Sequence, residues 1–464
     1  MTAAAELCRI TVVGPGGRAD LAVPVATTLA DLIPTLVEHV VPEEQRTANA
    51  EYGAWVLQRL GEAPLDPDGT PETLDWLDGD RFHLVPARDP LPELDFDDVA
   101  EGMATAISRQ GDRWSDTANR RLFLGLAAVA LATIGAALAT APDTTALAAT
   151  AAALALVLLT ATVVVARTSG DRALAAVAGT SGCGFAWLSG VIGLAGADRA
   201  FTPLGALVGA VAALACGVLP LVLQRLVVRD LPVVPFGVVV VAAAGAVLAG
   251  WLHLGLDLDG ARTAAVTGTA LFLLTLFTPK LATRAARLRG PQLPRTAEEL
   301  QIDVEPEPAA DLVSRTGQAD RYLTMLAVGA ALVFAAVVPG LLADAGWAQH
   351  VTLGLLTALV LLRSREFRNV VQRTALVLTG AWGVVAQALV LAAALDPVWR
   401  ITGLAGLLGV AALLVTAALR PLHRRPLPLW GHLANVLELC AGVAVLPVLL
   451  QILGVYAWAR GLAG

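Results

Sequence analysis

Between Leu122 and Thr140 the chain runs nineteen residues without a charge, entered by Arg120-Arg121 and left by Ala141-Pro142-Asp143. As a helix rising about 1.5 Å per residue, such a stretch extends roughly 28 Å, close to the hydrocarbon thickness of a bilayer. The pattern recurs to the end of the chain. About eleven apolar spans are predicted, at 122–140, 144–166, 173–197, 203–223, 233–252, 263–279, 322–343, 350–362, 374–395, 401–419 and 431–458. The eighth is short, which predicts a tilted or deformed helix.

Ahead of the first span the period changes. Cys8–Val13 alternates apolar and polar residues, and Ala19–Val23 follows Gly14-Pro15-Gly16-Gly17, the signature of a β-hairpin. Leu29, Leu32, Ile33, Leu36, Val37 and Val40 then recur at helical spacing, with Thr28 and Asp31 placed as a capping pair. Pro34 cannot donate to the Ala30 carbonyl, which predicts a bend or a frayed first turn. Trp55–Leu60 and Arg81–Val85 read as two more strands. The order β-β-α-β-β predicts a β-grasp (α+β) domain over 1–88. A linker follows over 89–121, then an all-α polytopic membrane bundle over 122–464. In the linker, Leu94, Val99, Met103 and Ile107 form a partly amphipathic pattern, and Arg109, Arg113, Arg120 and Arg121 suit anionic headgroups.

Positive charge tests the span count. With eleven crossings, one side collects twenty-two basic residues, in clusters such as Arg167/Arg172, Arg225/Arg229, Arg363/Arg365/Arg368/Arg373 and Arg420/Arg424/Arg425. The other side has four, Arg199, Arg262, Arg400 and Arg460. This predicts a cytoplasmic N-terminus and an outside C-terminus. The longest inner loop, 280–321, begins with basic residues and continues through Glu298, Glu299, Asp303, Glu305, Glu307 and Asp311. Pro306 and Pro308 argue against one continuous helix there. The loop reads equally as a connector between half-bundles and as an arm that docks a partner.

Composition agrees. Of 464 residues, 56% are hydrophobic and 15% charged, with a mean hydropathy of +0.68, where a soluble domain carries about 25% charge. The net charge of −7 is less informative, because charge is sorted by membrane side. Glu6 and the alternation after it lack the basic-then-apolar pattern of a cleaved signal peptide. Cys8, Cys183, Cys216 and Cys440 show no paired spacing and read as small core residues.

Motifs with catalytic chemistry are missing. There is no P-loop, HExxH or CxxC, Lys280 is the only lysine, and the six histidines do not cluster. No enzyme activity, catalytic group, cofactor, metal site or nucleic-acid partner is expected. The clear charge inside a span is Glu438, with Asn435 and His432 before it as candidate polar neighbours. An intramembrane carboxylate is costly and marks a role. Helix–helix hydrogen bonding or a link to an inner-side arginine is the favoured reading over a proton relay, since other spans offer little beyond Gln387 and Gln451. Gly205 and Gly209 form a GxxxG pair, and Gly403, Gly406 and Gly409 a small-residue ridge.

Residues Thr73–Pro86, TLDWLDGDRFHLVP, together with the element order, resemble the ubiquitin-like fold. No Gly-Gly terminus is freed, since the chain continues through Pro90-Leu91-Pro92, which makes this domain a docking module and not a tag. Cys8–Pro24, Thr28–Val40, Asp78–Pro86, Leu91–Ala104 and Leu293–Leu300, joined to about eleven spans, resemble EccD, the multi-pass membrane component of the type VII (ESX) secretion system. The resemblance implies a structural core subunit, two copies of which enclose a lipid-filled space, with ubiquitin-like domains contacting other subunits that include an FtsK-like ATPase. It makes Phe96, Asp97 and Asp98 in the linker candidate partner contacts. The competing class is a secondary transporter of major-facilitator-like layout, because six spans, a long inner loop and five more approximate a 6+6 plan. Ser169-Gly170-Asp171-Arg172 echoes that family's loop, but Ala and Leu follow where basic residues belong. A sensor whose ubiquitin-like domain reports ligand binding is a third class, and no ligand pocket is recognisable for it.

Overall fold

Alternation in the first strand builds the small domain. In β1 (Leu7–Gly14), Cys8, Ile10 and Val12 are buried while Arg9 between them is exposed. A tight turn at Pro15-Gly16 leads into β2 (Gly17–Pro24), which pairs antiparallel with β1 from Gly14↔Gly17 to Leu7↔Pro24. Gly17 sits at φ +134, a conformation open to glycine and strained for other residues. After α1 (Leu29–Val40), β3 (Trp55–Gln58) and β4 (Arg81–Pro86) pair antiparallel, and β4 runs parallel to β1. The sheet order is β2-β1-β4-β3. Leu29, Leu32, Leu36 and Val40 of α1 cover one sheet face, closing a core with Ile10, Leu57, Phe82 and Leu84. Each such side chain stabilises the domain by about 1.5–3 kcal/mol.

The structure is a computed structural model that describes residues 7–43, 55–87, 116–140, 144–195, 202–228, 230–288, 308–343, 346–419 and 428–463. The chain divides into two compact units, 1–115 and 116–464.

Pro34 neither breaks α1 nor frays its start. The Thr28 hydroxyl donates to Asp31 Oδ2 at 2.6 Å, and the Leu29 and Ala30 amides donate to the Gly69 and Pro67 carbonyls, each at 2.8 Å. Those loop carbonyls satisfy first-turn donors that the helix cannot, so the turn stays formed.

The second unit is all helical: α2 (Asp116–Thr140), α3 (Thr144–Thr168), α4 (Arg172–Gly193), α5 (Pro203–Leu226), α6 (Val233–Gly255), α7 (Gly260–Ala285), α8 (Ala309–Leu342), α9 (Trp347–Ser364), α10 (Val370–Ala394), α11 (Pro397–Leu419), α12 (Pro428–Ile452) and α13 (Val455–Ala463). Ten of these are long and apolar enough to cross a membrane. The predicted eighth span, α9, falls outside that set, with eighteen residues that include Gln349, His350 and Arg363. It lies instead in the heart of the bundle. Thr352 and Leu359 are 0% exposed, and Leu353, Leu356 and Val360 join Phe272 of α7, Phe334 of α8, Leu376 of α10 and Val445 of α12 in one core. A helix shielded by neighbours needs no apolar surface all round. A second core joins α2 to α5 through Leu131, Ala151, Phe185, Leu188 and Ala212.

Two expectations need correction. The loop placed at 280–321 is helical at both ends, because α7 continues to Ala285 and α8 starts at Ala309. Pro308 stands at the N-cap of α8, in keeping with the expectation that no helix continues through it, and a proline there forfeits no helical hydrogen bond. The span placed at 431–458 is broken, because Gly454 at φ +76 separates α12 from the short α13. At the other extreme of packing, α11 has no buried residue.

Candidate functional site

The polar residues of the bundle gather where α9 turns into α10. Ser364 ends α9, with its hydroxyl donating to the Leu361 carbonyl at 2.7 Å, and Asn369 caps α10 by accepting from the Val371 amide at 3.0 Å. The turn between them places Arg363 and Arg365 against α12. Gly431, Asn435 and Glu438 follow one another at i, i+4 and i+7, so they share a helix face. Arg363 Nη1 donates to Glu438 Oε1 at 3.4 Å and Arg365 Nη2 donates to Glu438 Oε2 at 3.2 Å. Arg365 also donates to Asn435 Oδ1, and to the Gly431 carbonyl at 3.3 Å. Arg363 forms a second ion pair with Glu366 at 2.7 Å. The side chains of Glu438, Arg363 and Arg365 are 12%, 13% and 26% exposed. Two guanidiniums meet two carboxylates, so the charges balance. The Nε atoms of both arginines are buried without a hydrogen-bond partner, a cost the cluster carries.

The same turn reaches α8 through a second network. Asn369 Nδ2 donates to Asp320 Oδ2 at 3.0 Å. Gln372, 1% exposed, donates to Asp320 Oδ1 at 2.9 Å and to Thr324 Oγ1 at 2.8 Å. Seven residues from Arg363 to Asn369 thus clamp α8, α10 and α12 together. Chemically the arrangement anchors helices. Guanidiniums hold their protons throughout the physiological range, so the neighbours of Glu438 offer it no proton to exchange.

His432 is exposed and lies outside the cluster, one position round the helix from Gly431. Phe96, Asp97 and Asp98 lie outside the described residues. The glycine patterns differ in what surrounds them. An added Cβ at Gly209 would sit 2.3 Å from the Trp187 carbonyl, and one at Gly190 would sit 2.5 Å from the Gly209 amide, so α4 and α5 cross backbone to backbone there. At Gly403, Gly406 and Gly409 a Cβ would meet nothing within 4 Å. Sequence reasoning favoured a link from Glu438 to an inner-side arginine without choosing Arg363 and Arg365 among them, and it did not single out Asp320 or Gln372. A signal existed in Gln372, a long polar side chain beside an apolar run, but its partner is 52 positions away.

Outside the spans, Asp171 caps α4 by accepting from the Leu174 amide at 3.0 Å and the Ala173 amide at 3.1 Å, and pairs with Arg120. These contacts, the Leu174 amide foremost, hold its carboxyl below the usual carboxylate range. Among the described residues no group of three or more His, Cys, Asp or Glu is placed to hold a metal ion.

Comparison with known proteins follows the two units. The small domain, residues 7–84, matches the family described as WXG100 protein secretion system (Wss), protein YukD. The whole fold is similar to a solved structure described as protomer 1 of the ESX-3 core complex, at 19% identity and a TM-score of 0.57, covering 98% of this chain and 100% of that one. It is also similar to a chain of the MycP5-free ESX-5 inner membrane complex in State II, at 16% identity and a TM-score of 0.53, covering 89% and 99%. No curated relative matches significantly. At these identities the likeness establishes the fold alone. The helical unit decides the family: the EccD-like transmembrane domain matches residues 119–462, nearly three quarters of the chain, so this protein belongs to the EccD family, the integral membrane component of the type VII (ESX) secretion system.

Proposed function

We propose that this chain is a structural core subunit of a type VII protein secretion machine in the cell membrane. In this reading it assembles as a homodimer with other membrane subunits and docks cytosolic parts of the machine, an FtsK-like ATPase among them, through its ubiquitin-like domain. The observation that carries the proposal is the disposition of polar groups in a family member: Glu438, Asp320, Gln372 and the arginines are all engaged in holding helices together. A scaffold requires such internal anchors and an unclaimed outer surface. α11 supplies the latter, almost wholly apolar after Arg400, with no buried residue and with Gly403, Gly406 and Gly409 open to close approach by a second helix. The N-terminus is cytoplasmic and the C-terminus outside, as the asymmetry of basic residues requires, with α9 counted among the crossings.

The test compares full-length protein with a form lacking residues 1–88. Because those residues belong to a separate compact unit, the truncated chain should still insert and self-associate. It should no longer co-purify the ATPase, and export should stop. Export sustained by the truncated form, or solute uptake by the isolated full-length chain in vesicles, would overturn the proposal.

A further inference from the structure

Where α5 and α7 end, beside α6 and the first turns of α8, four guanidiniums line one open basin of about 900 Å³: Arg225, Arg287, Arg315 and Arg321. Tyr322 and Gln318 add neutral hydrogen-bonding groups, and among the described residues no carboxylate lines it. Arg225, Arg287 and Arg321 form no ion pair among the described residues. Three guanidiniums without an ion pair, facing one space, repel one another unless an anion shares it.

The backbone adds an independent sign. α7 ends in a Schellman motif, with the Leu288 amide donating to the Thr283 carbonyl and the Arg287 amide to the Arg284 carbonyl, each at 3.0 Å. The residue at the left-handed position of that motif is Arg287, at φ 56, where glycine would sit without strain. Helix termination alone gains nothing from a side chain there. Strain kept at one position is a mark of function, and here the strained residue supplies a guanidinium to the basin.

The setting specifies the ligand further. Exposed apolar residues precede the basin by one or two turns, Leu219 and Val222 on α5 and Phe277 and Leu281 on α7. Charged groups therefore stand directly beside surface suited to acyl chains. Guanidinium forks match phosphate oxygens in pairs, and four of them match two phosphates. We propose that this basin binds the headgroup of an anionic phospholipid, with a diphosphate lipid such as cardiolipin preferred over a monophosphate one. The inference uses the membrane setting but not the secretion role.

The test titrates the full-length chain in mild detergent with cardiolipin, phosphatidylglycerol and phosphatidylcholine, and separately with inorganic pyrophosphate, reading binding by native mass spectrometry. Cardiolipin should bind tightest and phosphatidylcholine weakest. Arg225→Gln with Arg321→Gln should weaken cardiolipin about a hundredfold, or roughly tenfold for each charge-assisted hydrogen bond removed. Arg287→Gly guards against misfolding as the cause, since it should raise the unfolding temperature in lipid-free detergent while weakening cardiolipin about tenfold. Wild-type cardiolipin affinity in these variants would overturn the proposal. Pyrophosphate that binds as tightly as cardiolipin and displaces it would assign the basin to a soluble anion instead. A hexaglutamate peptide that outcompetes cardiolipin would assign it to an acidic protein segment. Either result refutes a lipid site, and because the isolated chain is measured, neither bears on the proposed scaffold role.

Discussion

Replacing Glu438 by leucine removes one carboxylate from between two guanidiniums that cannot deprotonate. Taking one partner from a buried ion pair costs about 3–5 kcal/mol, because the other charge is left without compensation. The structure argues for less here. Arg363 keeps Glu366 at 2.7 Å, and Arg365 keeps Asn435 and the Gly431 carbonyl. Both contacts to Glu438, at 3.4 and 3.2 Å, are also on the long side for charged hydrogen bonds. We expect Glu438→Leu to destabilise the bundle by about 2–3 kcal/mol, above the average interhelical polar contact in membranes. Glu438→Gln retains an acceptor and should cost about 1 kcal/mol. The informative variant removes the charges together. Arg363→Met, Arg365→Met and Glu438→Leu combined should return to within about 1 kcal/mol of wild type, since the one charge left without a partner, Glu366, has a side chain 46% exposed and stays in contact with water. Equilibrium unfolding of the purified chain in mixed detergent micelles would report all three. If the triple variant is as unstable as Glu438→Leu, or if Glu438→Leu matches wild type, the three residues do not act as a unit and the clamp is wrongly described.

Gly209→Ala should destabilise the same preparation by about 2 kcal/mol, since its methyl would press on the Trp187 carbonyl from 2.3 Å and force α4 and α5 away from each other; Gly406→Ala, in open space, should be neutral in the isolated chain. Asp171 has a folded-state pKa below its unfolded value, so its contribution is complete above about pH 4 and fades as pH falls through the lowered value. Thermal unfolding from pH 6 to pH 2 should therefore show wild type and Asp171→Ala converging at the acid end, and a constant gap would contradict the assignment. Reporter fusions after Arg172 and Leu288 should read as cytoplasmic and those after Asp259 and Gly464 as outside; a cytoplasmic reading at Gly464 would refute the eleven-crossing topology.

Much of this protein is written in local pattern. The alternation of Cys8, Ile10 and Val12, the helical spacing of Leu29, Leu32, Leu36 and Val40, and the uncharged run from Leu122 are each set by which neighbours along the chain are apolar. Backbone geometry then turns them into a strand, a helix and a span. Glu438 was conspicuous for the same reason, because a carboxylate in an apolar run has a cost visible without any partner. That an inner-side arginine would meet it was a fair expectation, but which arginine was not visible. Arg363 and Arg365 lie 75 and 73 positions away, and Asp320 lies 52 from Gln372, separations across which no periodicity carries information. Tertiary packing also decided that α9, the shortest of the predicted spans, occupies the core while the more apolar α11 remains uncovered. Likewise Gly190 and Gly209 form a helix crossing while Gly403, Gly406 and Gly409 do not. Hydrophobicity determines that a helix leaves water. Once every helix has left water, lipid and neighbouring helices are equally apolar, so close approach at small residues and a few long-range polar contacts choose the neighbours.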